Sequence, residues 1–500
     1  MSNAGLILES ILTMKSKILF QSDGNSYLQD VTNNLMLYLP RELLKQIEKR
    51  LNNSNSSIFG NSTYYERKAD FLLEKLSDQR NVEESFSGRL SPEMVENTFA
   101  NTRQITFELT ERCNLHCKYC AYGELYGDYL PRQNKDLPWA FVDQLIEYMC
   151  KYWASSRYAS VYKSIAVGFY GGEPLLKMDL INQIVRLLKE KSTNSLGFRY
   201  NMTTNGILLN QYMDFLVEND VQLLISLDGD ECGNSYRVTK AGKNPFHKIV
   251  SNVMLLKESF PEYFKERVMF ASVLHNKNSV SGIKNFFRKQ FDKEARISEV
   301  NPVGIKYEKK EQFNSMYRNT MVSLNQAEDY DKIKEDMFVN DPDTNTLMYY
   351  LHTYSGNCIK NYRGFFIEKE TERWLPTGTC MPFGKRIFLT AAGKILPCER
   401  IGHQYSLGYV DQDGVNIDFR EIANRYNQYY DNLQSQCSAC YHLKHCLQCI
   451  FQLDGIENKP VCNGYFNETR FQKYLSENIA FLCNNSKLYK KIMDEVILEE

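Results

Sequence analysis

Between residues 105 and 300, short apolar runs alternate with longer segments in which apolar residues recur every three or four positions. The short runs are rich in β-branched and aromatic residues, which is typical of strands, and the longer segments are typical of amphipathic helices. Six such repeats predict an α/β fold with a parallel sheet, whose active site is expected at the carboxyl ends of the strands. The predicted strands are 105–109, 164–170, 198–203, 221–227, 267–274 and 296–300.

Residues 18–40 show a different pattern, with three short strands separated by the turn signals SDGN and TNN. Helical patterns follow at 41–51 and 64–76, and the Ser- and Asn-rich stretch between them predicts a loop or a wing. Three strands followed by two helices resemble a winged helix. A polar link near 78–100 is expected to lead to the main body.

The remainder of the chain divides by composition. Residues 302–379 are helical in pattern and rich in Tyr, a Cys-rich module runs from 380 to 465, and a short helical tail follows. The domains expected from these patterns are 1–100, winged-helix-like; 101–310, the α/β region with the parallel sheet; 311–379, a helical bridge; 380–465, the Cys-rich module; and 466–500, the tail.

Charge and hydropathy exclude two classes of partner. Lys plus Arg number 60 against 61 acidic residues, so the whole chain has no basic surplus of the kind that binds nucleic acid. No run of about 18 apolar residues is present, so no membrane span is expected. The N-terminal stretch contains Glu9 and lacks a basic start, so it is interpreted as folded protein and not as a signal peptide. A cytoplasmic location is expected.

The fourteen cysteines are unevenly distributed: ten fall into two groups, at 113–120 and 380–462. Thiols stay reduced in the cytoplasm, so clustered cysteines there indicate metal ligands and not disulfides. The cysteines outside the groups are interpreted by default as small buried apolar residues. These are Cys150, Cys232, Cys358 and Cys483.

The first group has the spacing Cys113-x₃-Cys117-x₂-Cys120, directly after the first predicted strand. One interpretation is a zinc site with a fourth ligand such as His116, although zinc ribbons usually carry paired C-x₂-C knuckles. The other is an iron–sulfur cubane with one iron that the protein does not ligate. Such clusters ordinarily have four thiolates, so a missing one leaves a coordination position for another molecule.

This spacing resembles the signature of the radical S-adenosylmethionine superfamily. The resemblance implies a partial (β/α)₆ TIM-like barrel and one [4Fe–4S] cluster on Cys113, Cys117 and Cys120. It also implies that S-adenosyl-L-methionine chelates the open iron, and that reductive cleavage yields a 5′-deoxyadenosyl radical. Cofactors supply that chemistry, and the protein places them.

Further family-like motifs stand at the predicted strand ends. By resemblance, Tyr119 lies against the adenine, the GGEP turn at 171–174 meets the methionyl amino group, and TTNG at 203–206 contacts the ribose. The Ser and Arg of the SLDG region are expected to hold the methionyl carboxylate. The residues implied to bind S-adenosylmethionine are Tyr119, Gly171, Gly172, Glu173, Thr203, Asn205, Ser226 and Arg237.

The second cysteine group resembles the seven-cysteine SPASM extension, which implies two auxiliary iron–sulfur clusters, expected to be [4Fe–4S]. It departs from the usual pattern by having x₂ instead of x₃ before its sixth cysteine, Cys449. A zinc-bound scaffold is the alternative. By resemblance, the distal cluster takes Cys437, Cys440, Cys446 and Cys462, and the proximal cluster takes Cys380, Cys398 and Cys449.

Two residues beside the proximal ligands have open interpretations. Some relatives supply a fourth ligand six residues after the first cysteine, where this chain has Arg386. The proximal cluster is therefore either open to substrate or ligated by Cys358. Glu399 follows Cys398, and in related sulfatase-maturing enzymes an acid in the equivalent position is a catalytic base. A capping or salt-bridging glutamate is the alternative.

These features predict a radical S-adenosylmethionine maturase that abstracts hydrogen from a ribosomally made precursor peptide to install a cross-link or an oxidised residue. The N-terminal module is expected to bind the leader of that peptide by β-augmentation. A reductant such as flavodoxin or ferredoxin is expected as a second partner. The alternatives are an anaerobic sulfatase-maturing enzyme and a non-catalytic, metal-stabilised peptide-binding protein.

Overall fold

The computed structural model describes residues 17–31, 35–52, 63–77, 88–127, 132–159, 164–328, 330–338, 341–354, 375 and 377–496. Most of the predicted loop or wing, at 53–62, and Cys358 lie outside these residues. The chain forms two compact units. The first unit is built from Met1–Arg89, Asp336–Thr379 and Asn427–Glu500, and the second from Leu90–Glu335 and Cys380–Tyr426. The domain limits given above remain a prediction.

The first unit contains the predicted meander as an antiparallel sheet in the order β1–β2–β3. Asp23 and Gly24 both have positive φ, of 48° and 75°, which suits the two-residue hairpin turn between β1 and β2. The three strands and the two following helices confirm their predictions. The elements are β1 Lys17–Ser22, β2 Asn25–Asp30, β3 Leu35–Leu39, α1 Arg41–Asn52 and α2 Tyr64–Ser77.

The polar link predicted near 78–100 is wrong over its last part, because Pro92–Ala100 forms a helix, α3. Ser91 caps its N-terminus by accepting a hydrogen bond from the Met94 amide, and Pro92 occupies the first turn, where its missing N–H costs nothing. Val95 and Phe99 are buried one turn apart. A short amphipathic pattern within polar sequence was therefore missed.

The second unit contains a ten-stranded sheet, and its strands β4 to β9 lie side by side in chain order, all parallel. This confirms the predicted α/β fold and all six predicted strands. Parallel strands place their carboxyl ends at one edge, where the loops carrying the candidate residues begin. The strands are β4 Gln104–Thr110, β5 Ser164–Gly171, β6 Gly197–Thr204, β7 Gln222–Ser226, β8 Val268–Leu274 and β9 Ala295–Glu299.

Helices alternate with these strands and continue through the Tyr-rich region, as predicted. In the second unit they include α4 Trp139–Trp153, α5 Met178–Lys191, α6 Leu209–Glu218, α7 Phe246–Ser259, α8 Pro261–Arg267, α9 Val280–Phe291, α10 Lys310–Met316 and α11 Thr320–Asn325. Further along the chain are α12 Tyr330–Met337, α13 Pro342–Tyr354, α14 Phe419–Ser438, α15 Glu468–Asn484 and α16 Ser486–Glu495. Within the described residues, no helix has the length and apolar character needed to cross a membrane.

Four short strands of the Cys-rich region extend the same sheet, which the sequence patterns did not predict. β10 pairs in parallel with β4, and β11 to β13 continue antiparallel. The buried carboxylate of Glu108, on β4, accepts a hydrogen bond of 3.1 Å from the Ala391 amide and so connects the new strands to the parallel strands. The strands are β10 Ile387–Leu389, β11 Lys394–Leu396, β12 Gly408–Asp411 and β13 Gly414–Asn416.

Candidate functional site

The three clustered cysteines lie on the loop that follows β4 (residues 111–123, the cysteine loop), at the carboxyl edge of the parallel strands. The backbone of the GGEP turn holds the start of this loop. The Gly172 amide donates to the Thr110 carbonyl at 2.8 Å, and the Glu173 amide donates to the Arg112 carbonyl at 3.0 Å. The cysteine loop is thus attached directly to the end of β5.

The two glycines of that turn are required by close backbone contacts. A Cβ atom at Gly172 would lie 2.1 Å from the Arg112 carbonyl oxygen, and one at Gly171 would lie 2.4 Å from that of Thr110. Gly171 also has φ of 134°, a region that side chains disfavour. Both glycines were predicted to permit a close approach, and the structure shows that they approach the cysteine loop itself.

A second backbone segment, residues 236–239, lies along the other side of the cysteine loop. The His116 amide donates to the Val238 carbonyl at 2.6 Å, and the Lys118 amide donates to that of Tyr236 at 3.0 Å. His116 is exposed whereas the three cysteines are partly buried, so the side chain suggested as a zinc ligand does not share their surroundings. The loop is therefore fixed on both sides by main-chain hydrogen bonds.

The thiols themselves are partly buried and close enough to influence one another. Burial is the main factor that raises the pKa of Cys117 to about 12, and Cys120 and Cys113 contribute in the same direction. The Leu115 amide lies 3.4 Å from the Cys113 sulfur and donates to it. A thiol is a weak acceptor, whereas the thiolates of iron–sulfur clusters commonly accept such bonds.

Glu173 is buried, and its carboxylate serves the neighbouring strand end. It accepts hydrogen bonds from the Thr204 hydroxyl at 2.7 Å, the Asn205 amide at 2.8 Å and the Leu175 amide at 3.1 Å. Burial raises its pKa to about 7 despite these donors. The residue predicted to meet an ammonium group thus links β5 to β6.

Asn205 was predicted to lie near the ribose of S-adenosylmethionine, and its amide group contacts the cysteine loop. It donates to the Asn114 side chain at 2.7 Å and lies 3.8 Å from the Cys113 sulfur. Thr203 and Ser226 are partly buried at the carboxyl ends of β6 and β7. The structure therefore brings the predicted strand-end residues to the same edge as the cysteines.

Asp228 is the residue of this site that sequence reasoning missed. Its buried carboxylate accepts hydrogen bonds from the Tyr119 hydroxyl, from Arg237 at 2.9 Å and from the Val273 amide at 2.9 Å. Burial opposes ionisation, but Arg237 and the other donors lower the pKa of Asp228 overall. The signal was an acid inside the SLDG motif, adjacent to a predicted strand end.

One hydrogen-bond donor of Arg237 has no acceptor among the described residues. Its Nη2 pairs with Asp228, whereas its Nε is buried without a hydrogen-bond partner there. An unpaired buried donor is costly unless a ligand satisfies it. Its guanidinium carbon also lies 5.5 Å from the centre of the Tyr119 ring. A carboxylate ligand would supply the missing acceptor, in agreement with the prediction for Arg237.

In the first unit, four cysteines that are separated by up to 25 positions form a group. Burial, followed by the electrostatic effect of Cys446, Cys440 and Cys462, raises the pKa of Cys437 to about 12. The Phe466 amide donates to the Cys440 sulfur at 3.4 Å, and the Gln448 amide donates to that of Cys446, also at 3.4 Å. These are the four ligands predicted for the distal cluster.

His442, two residues after Cys440, joins this group to α13. Its Nδ1 lies 2.6 Å from the Tyr354 hydroxyl, and its Nε2 lies 3.0 Å from the Tyr349 hydroxyl. Tyr349 in turn donates to the His445 carbonyl. Nε2 is therefore the protonated nitrogen, because Tyr349 has already given its own proton to a carbonyl. This buried chain fixes the loop between Cys440 and Cys446.

The predicted proximal ligands are distributed over both units. In the second unit, Cys380 is exposed, and the sulfur of Cys398 accepts from the Arg400 amide at 3.4 Å. Cys449 belongs to the first unit. Glu399 forms an ion pair with Arg386, with Nη1 and Oε2 2.5 Å apart. The proximal ligand set remains a prediction, and the salt-bridging interpretation of Glu399 is the one that the described contacts show.

Among the described residues, no group of three or more His, Cys, Asp or Glu side chains is arranged to hold a single metal ion. In a cubane each thiolate binds a different iron, so its cysteines stand farther apart than the ligands of one ion. Sulfur donors with amide hydrogen bonds, and the unsatisfied Arg237 Nε, fit a thiolate-bound cluster with a carboxylate ligand nearby.

Residues 107–289 match the family described as the Radical SAM superfamily. The chain contains a radical SAM domain. This domain includes the cysteine loop, the GGEP turn and Arg237, and it ends within α9. A radical SAM domain uses S-adenosyl-L-methionine together with a [4Fe–4S] cluster, so the expected cofactor class is confirmed.

Several curated relatives of the radical SAM domain are enzymes. A Cysteine-type anaerobic sulfatase-maturating enzyme of Clostridium novyi is 29% identical over 187 residues, which cover 36% of this chain and 46% of that protein. The Radical SAM cyclopropyl synthase TigE of Paramaledivibacter caminithermalis is 23% identical over 168 residues, covering 31% and 33%. A GTP 3′,8-cyclase of Staphylococcus saprophyticus is 32% identical over 130 residues, covering 25% and 34%. The chain spans about half or less of the length of these relatives.

The chain is also similar to solved structures. The structure described as native anSMEcpe with bound AdoMet and Cp18Cys peptide is 16% identical, with a TM-score of 0.49. It covers 77% of this chain and 98% of its own. Streptococcus suis SuiB bound to S-adenosylmethionine is 13% identical, with a TM-score of 0.41, covering 89% of this chain and 97% of its own.

Proposed function

We propose that this chain is a radical S-adenosylmethionine maturase that modifies a ribosomally made peptide. The observation that carries the proposal is the cysteine loop: three partly buried thiols directly after β4, within the matched radical SAM domain. Three thiolates would hold three irons of a cubane and would leave the fourth without a protein ligand. When bound, the cluster and S-adenosylmethionine supply one-electron chemistry that abstracts hydrogen from the substrate.

The protein's own contribution is to hold and orient these groups. We propose Cys113, Cys117 and Cys120 as the cluster ligands. Arg237, fixed by Asp228, has a buried Nε free to donate to the methionyl carboxylate, and Ser226 stands at the adjacent strand end. Asp228 also fixes the ring of Tyr119, which we propose as the surface for the adenine.

We propose that the remaining predicted residues act by holding main-chain segments of the site in position. We propose that the GGEP turn meets the methionyl amino group through its main chain, because the Glu173 carboxylate already accepts three hydrogen bonds from the protein. Asn205 positions the cysteine loop through Asn114. We propose that Thr203, at the end of β6, contacts the ribose. The turn thus fixes both the loop and the cosubstrate.

Two auxiliary clusters are proposed beyond the radical SAM domain. The distal one takes Cys437, Cys440, Cys446 and Cys462, which the structure groups in the first unit. The proximal one takes Cys380, Cys398 and Cys449, with substrate or Cys358 as its fourth ligand. Thiolate clusters of this number suit a reducing compartment, so we propose a cytoplasmic location.

We propose that the peptide substrate binds at a strand edge of the first unit. The β1 edge is covered, because α15 reaches it: Gln472 donates to the Leu19 carbonyl at 3.2 Å, and Ser476 donates to the Gln21 carbonyl at 2.8 Å. Within the described residues, β3 pairs with β2 alone, and its Leu35 and Tyr38 are exposed. We propose that the leader adds a strand to β3.

Substitution of the β3 edge tests this docking site. Leu35→Lys combined with Tyr38→Lys is expected to weaken binding of a synthetic leader peptide by about ten-fold, equal to about 1.4 kcal/mol. Leu19→Lys is the matched control, because Leu19 is 40% exposed on the covered strand β1. Equal binding by both variants would contradict docking on β3.

The catalytic proposal is tested by anaerobic release of 5′-deoxyadenosine from S-adenosylmethionine after reduction with dithionite. Cys113→Ala should abolish release, whereas Cys483→Ala, at an exposed position on α15, should leave it unchanged. Normal release from the first variant would remove the catalytic interpretation of the cysteine loop. It would leave the non-catalytic peptide-binding protein as the better explanation.

Formation of formylglycine on a sulfatase is the second candidate function, favoured by the 29% identity to a sulfatase-maturating enzyme. The two candidates differ in their need for a leader. A sulfatase maturase should modify a short Cys- or Ser-containing sulfatase peptide without any leader segment. The peptide maturase should act only on a precursor that carries its leader. Mass spectrometry of both peptides after incubation distinguishes them.

A further inference from the structure

Four exposed lysines surround the outer side of the cysteine loop, and we call them the lysine patch: Lys118, Lys240, Lys243 and Lys277. Lys118 lies on the cysteine loop between Cys117 and Cys120. Lys240 and Lys243 belong to a tight turn in which the Thr239 amide donates to the Lys243 carbonyl at 2.9 Å. Lys277 lies 4.4 Å above the Tyr236 ring.

Backbone contacts place this turn beside the cysteines. Leu115 and Thr239 form an antiparallel bridge, and the Lys118 amide bonds to the Tyr236 carbonyl. Arg112, Cys113, Asn114 and Lys240 line one cleft of about 470 Å³. A cysteine predicted to bind the cluster therefore shares a surface opening with the side chains of Arg112 and Lys240.

The positive charge of the patch is not neutralised locally. Within the described residues, none of the four lysines forms an ion pair, and neither 112–123 nor 232–257 contains an acidic residue. At the border of the patch, Asp136 pairs with Arg112 and Lys177, and Glu231 lies 3.3 Å from His247. The exposed Asp230 lines a pocket together with Lys277 and accepts a hydrogen bond from the Gly233 amide at 2.8 Å. Although the whole chain has a net charge of −1, these four exposed lysines give the surface beside the cysteine loop a positive charge.

We propose that the lysine patch is the docking surface for an acidic one-electron carrier protein of the flavodoxin class. The inference rests on the proposed function, which requires one electron for each cleavage of S-adenosylmethionine. The reduced flavin of the carrier loses that electron and the cluster on the cysteine loop gains it, with no bond made or broken at the surface. Electron transfer weakens steeply with distance, so a carrier must dock on the outer side of the cluster ligands.

Charge complementarity explains why such a partner is acidic. Complementary surfaces accelerate encounter and set orientation more than they raise final affinity. The interaction should therefore weaken steeply with salt, because the Debye length falls from roughly 30 Å at 0.01 M to roughly 3 Å at 1 M. An acidic peptide substrate is the competing occupant, and the experiment separates the two.

The experiment compares two reductants on the reconstituted protein. Lys240→Glu combined with Lys243→Glu should bind reduced flavodoxin about ten-fold more weakly at low salt, and flavodoxin-driven release of 5′-deoxyadenosine should fall by a similar factor. Release driven by dithionite, which needs no docking, should equal that of the unmodified protein. Flavodoxin binding, followed by flavin fluorescence, is a readout that does not depend on turnover.

Lys151→Glu combined with Lys189→Glu is the matched control. Both lysines are exposed near the ends of α4 and α5, at the opposite edge of the sheet from the cysteine loop. Equal flavodoxin binding by the two double variants would overturn the proposal. An equal loss with both reductants would also overturn it, as would a changed KM for peptide with flavodoxin binding unaltered.

A separate result would show that the proposed function is wrong: the unmodified protein would release no 5′-deoxyadenosine with dithionite. Charge-dependent flavodoxin binding, lost in the patch variant and kept in the control, would still support the docking surface. The two proposals therefore fail on separate measurements.

Discussion

Arg237 and Asp228 form a buried ion pair of 2.9 Å beneath the cysteine loop, with side-chain exposures of 9% and 0%. Asp228 also accepts the hydroxyl proton of Tyr119, so one carboxylate orients two residues that the family resemblance assigns to S-adenosylmethionine. Buried pairs of this kind are costly to break, since removal of one partner leaves the other charge without compensation.

Asp228→Asn should therefore destabilise the protein by about 3–5 kcal/mol, because the Arg237 charge would remain buried and unpaired. Anaerobic denaturant unfolding measures the effect. Asp220→Asn is the control, because Asp220 pairs with Arg267 at the surface, where solvent screens the interaction. The stability of this variant should stay near that of the unmodified protein. Similar curves for the two variants would contradict the role given to Asp228.

Gly172→Ala should displace the cysteine loop, because the added Cβ would lie 2.1 Å from the Arg112 carbonyl oxygen. Overpacking of this kind costs about 1–3 kcal/mol, and the shift is expected to lower the iron bound after reconstitution. Iron analysis and absorbance spectra measure the loss. Gly127→Ala is the control, since its nearest neighbour would be 3.6 Å away. Full iron content in the Gly172 variant would show that the loop tolerates the change.

Glu173 should make stability depend on pH. Burial raises the pKa of Glu173 in the folded state to about 7, whereas the value in the unfolded state is near 4.5. Between pH 4.5 and pH 7 the folded state therefore binds more protons than the unfolded state. The contribution of Glu173 to the free energy of unfolding is therefore fully present below about pH 4.5 and is lost as the pH rises through 7. The expected change is on the order of 3 kcal/mol.

Glu173→Gln removes this titration, so its stability relative to the unmodified protein should improve as the pH rises from 4.5 to 7. Denaturant unfolding at several pH values measures the difference. Glu218→Gln, at an exposed position on α6, should leave the pH profile unaltered. A constant difference for the Glu173 variant would contradict the raised pKa.

Glu399→Gln should separate cosubstrate cleavage from peptide modification. If Glu399 takes a substrate proton, its amide variant should still release 5′-deoxyadenosine but form at least ten-fold less modified peptide, since general bases contribute about 10²–10⁴-fold. Arg386→Gln should leave the carboxylate without its 2.5 Å partner and retain more product than Glu399→Gln. Equal loss of product in the two variants would assign the pair a structural role, because each substitution breaks the same ion pair.

The sequence by itself determined the features that depend on local pattern. Each of the strands β4 to β9 is a short apolar run between turns, so periodicity predicted all six. The spacing of Cys113, Cys117 and Cys120 is equally local, and it predicted the site without information on tertiary contacts. The resemblance to the SPASM extension predicted the distal ligands, and all four of these cysteines belong to one unit of the structure.

Tertiary structure decided the contacts between residues that are distant in sequence. Tyr119 and Asp228 are 109 positions apart and meet because the ends of parallel strands converge at one edge of the sheet. The three-residue strands β10 and β11 have too little pattern to be predicted, and they form because β4 and the Glu108 carboxylate offer their backbones partners. Pairing of the cysteine loop with residues 236–239 likewise determines which side of the loop, with its lysines, faces solvent. No local sequence pattern specifies this pairing.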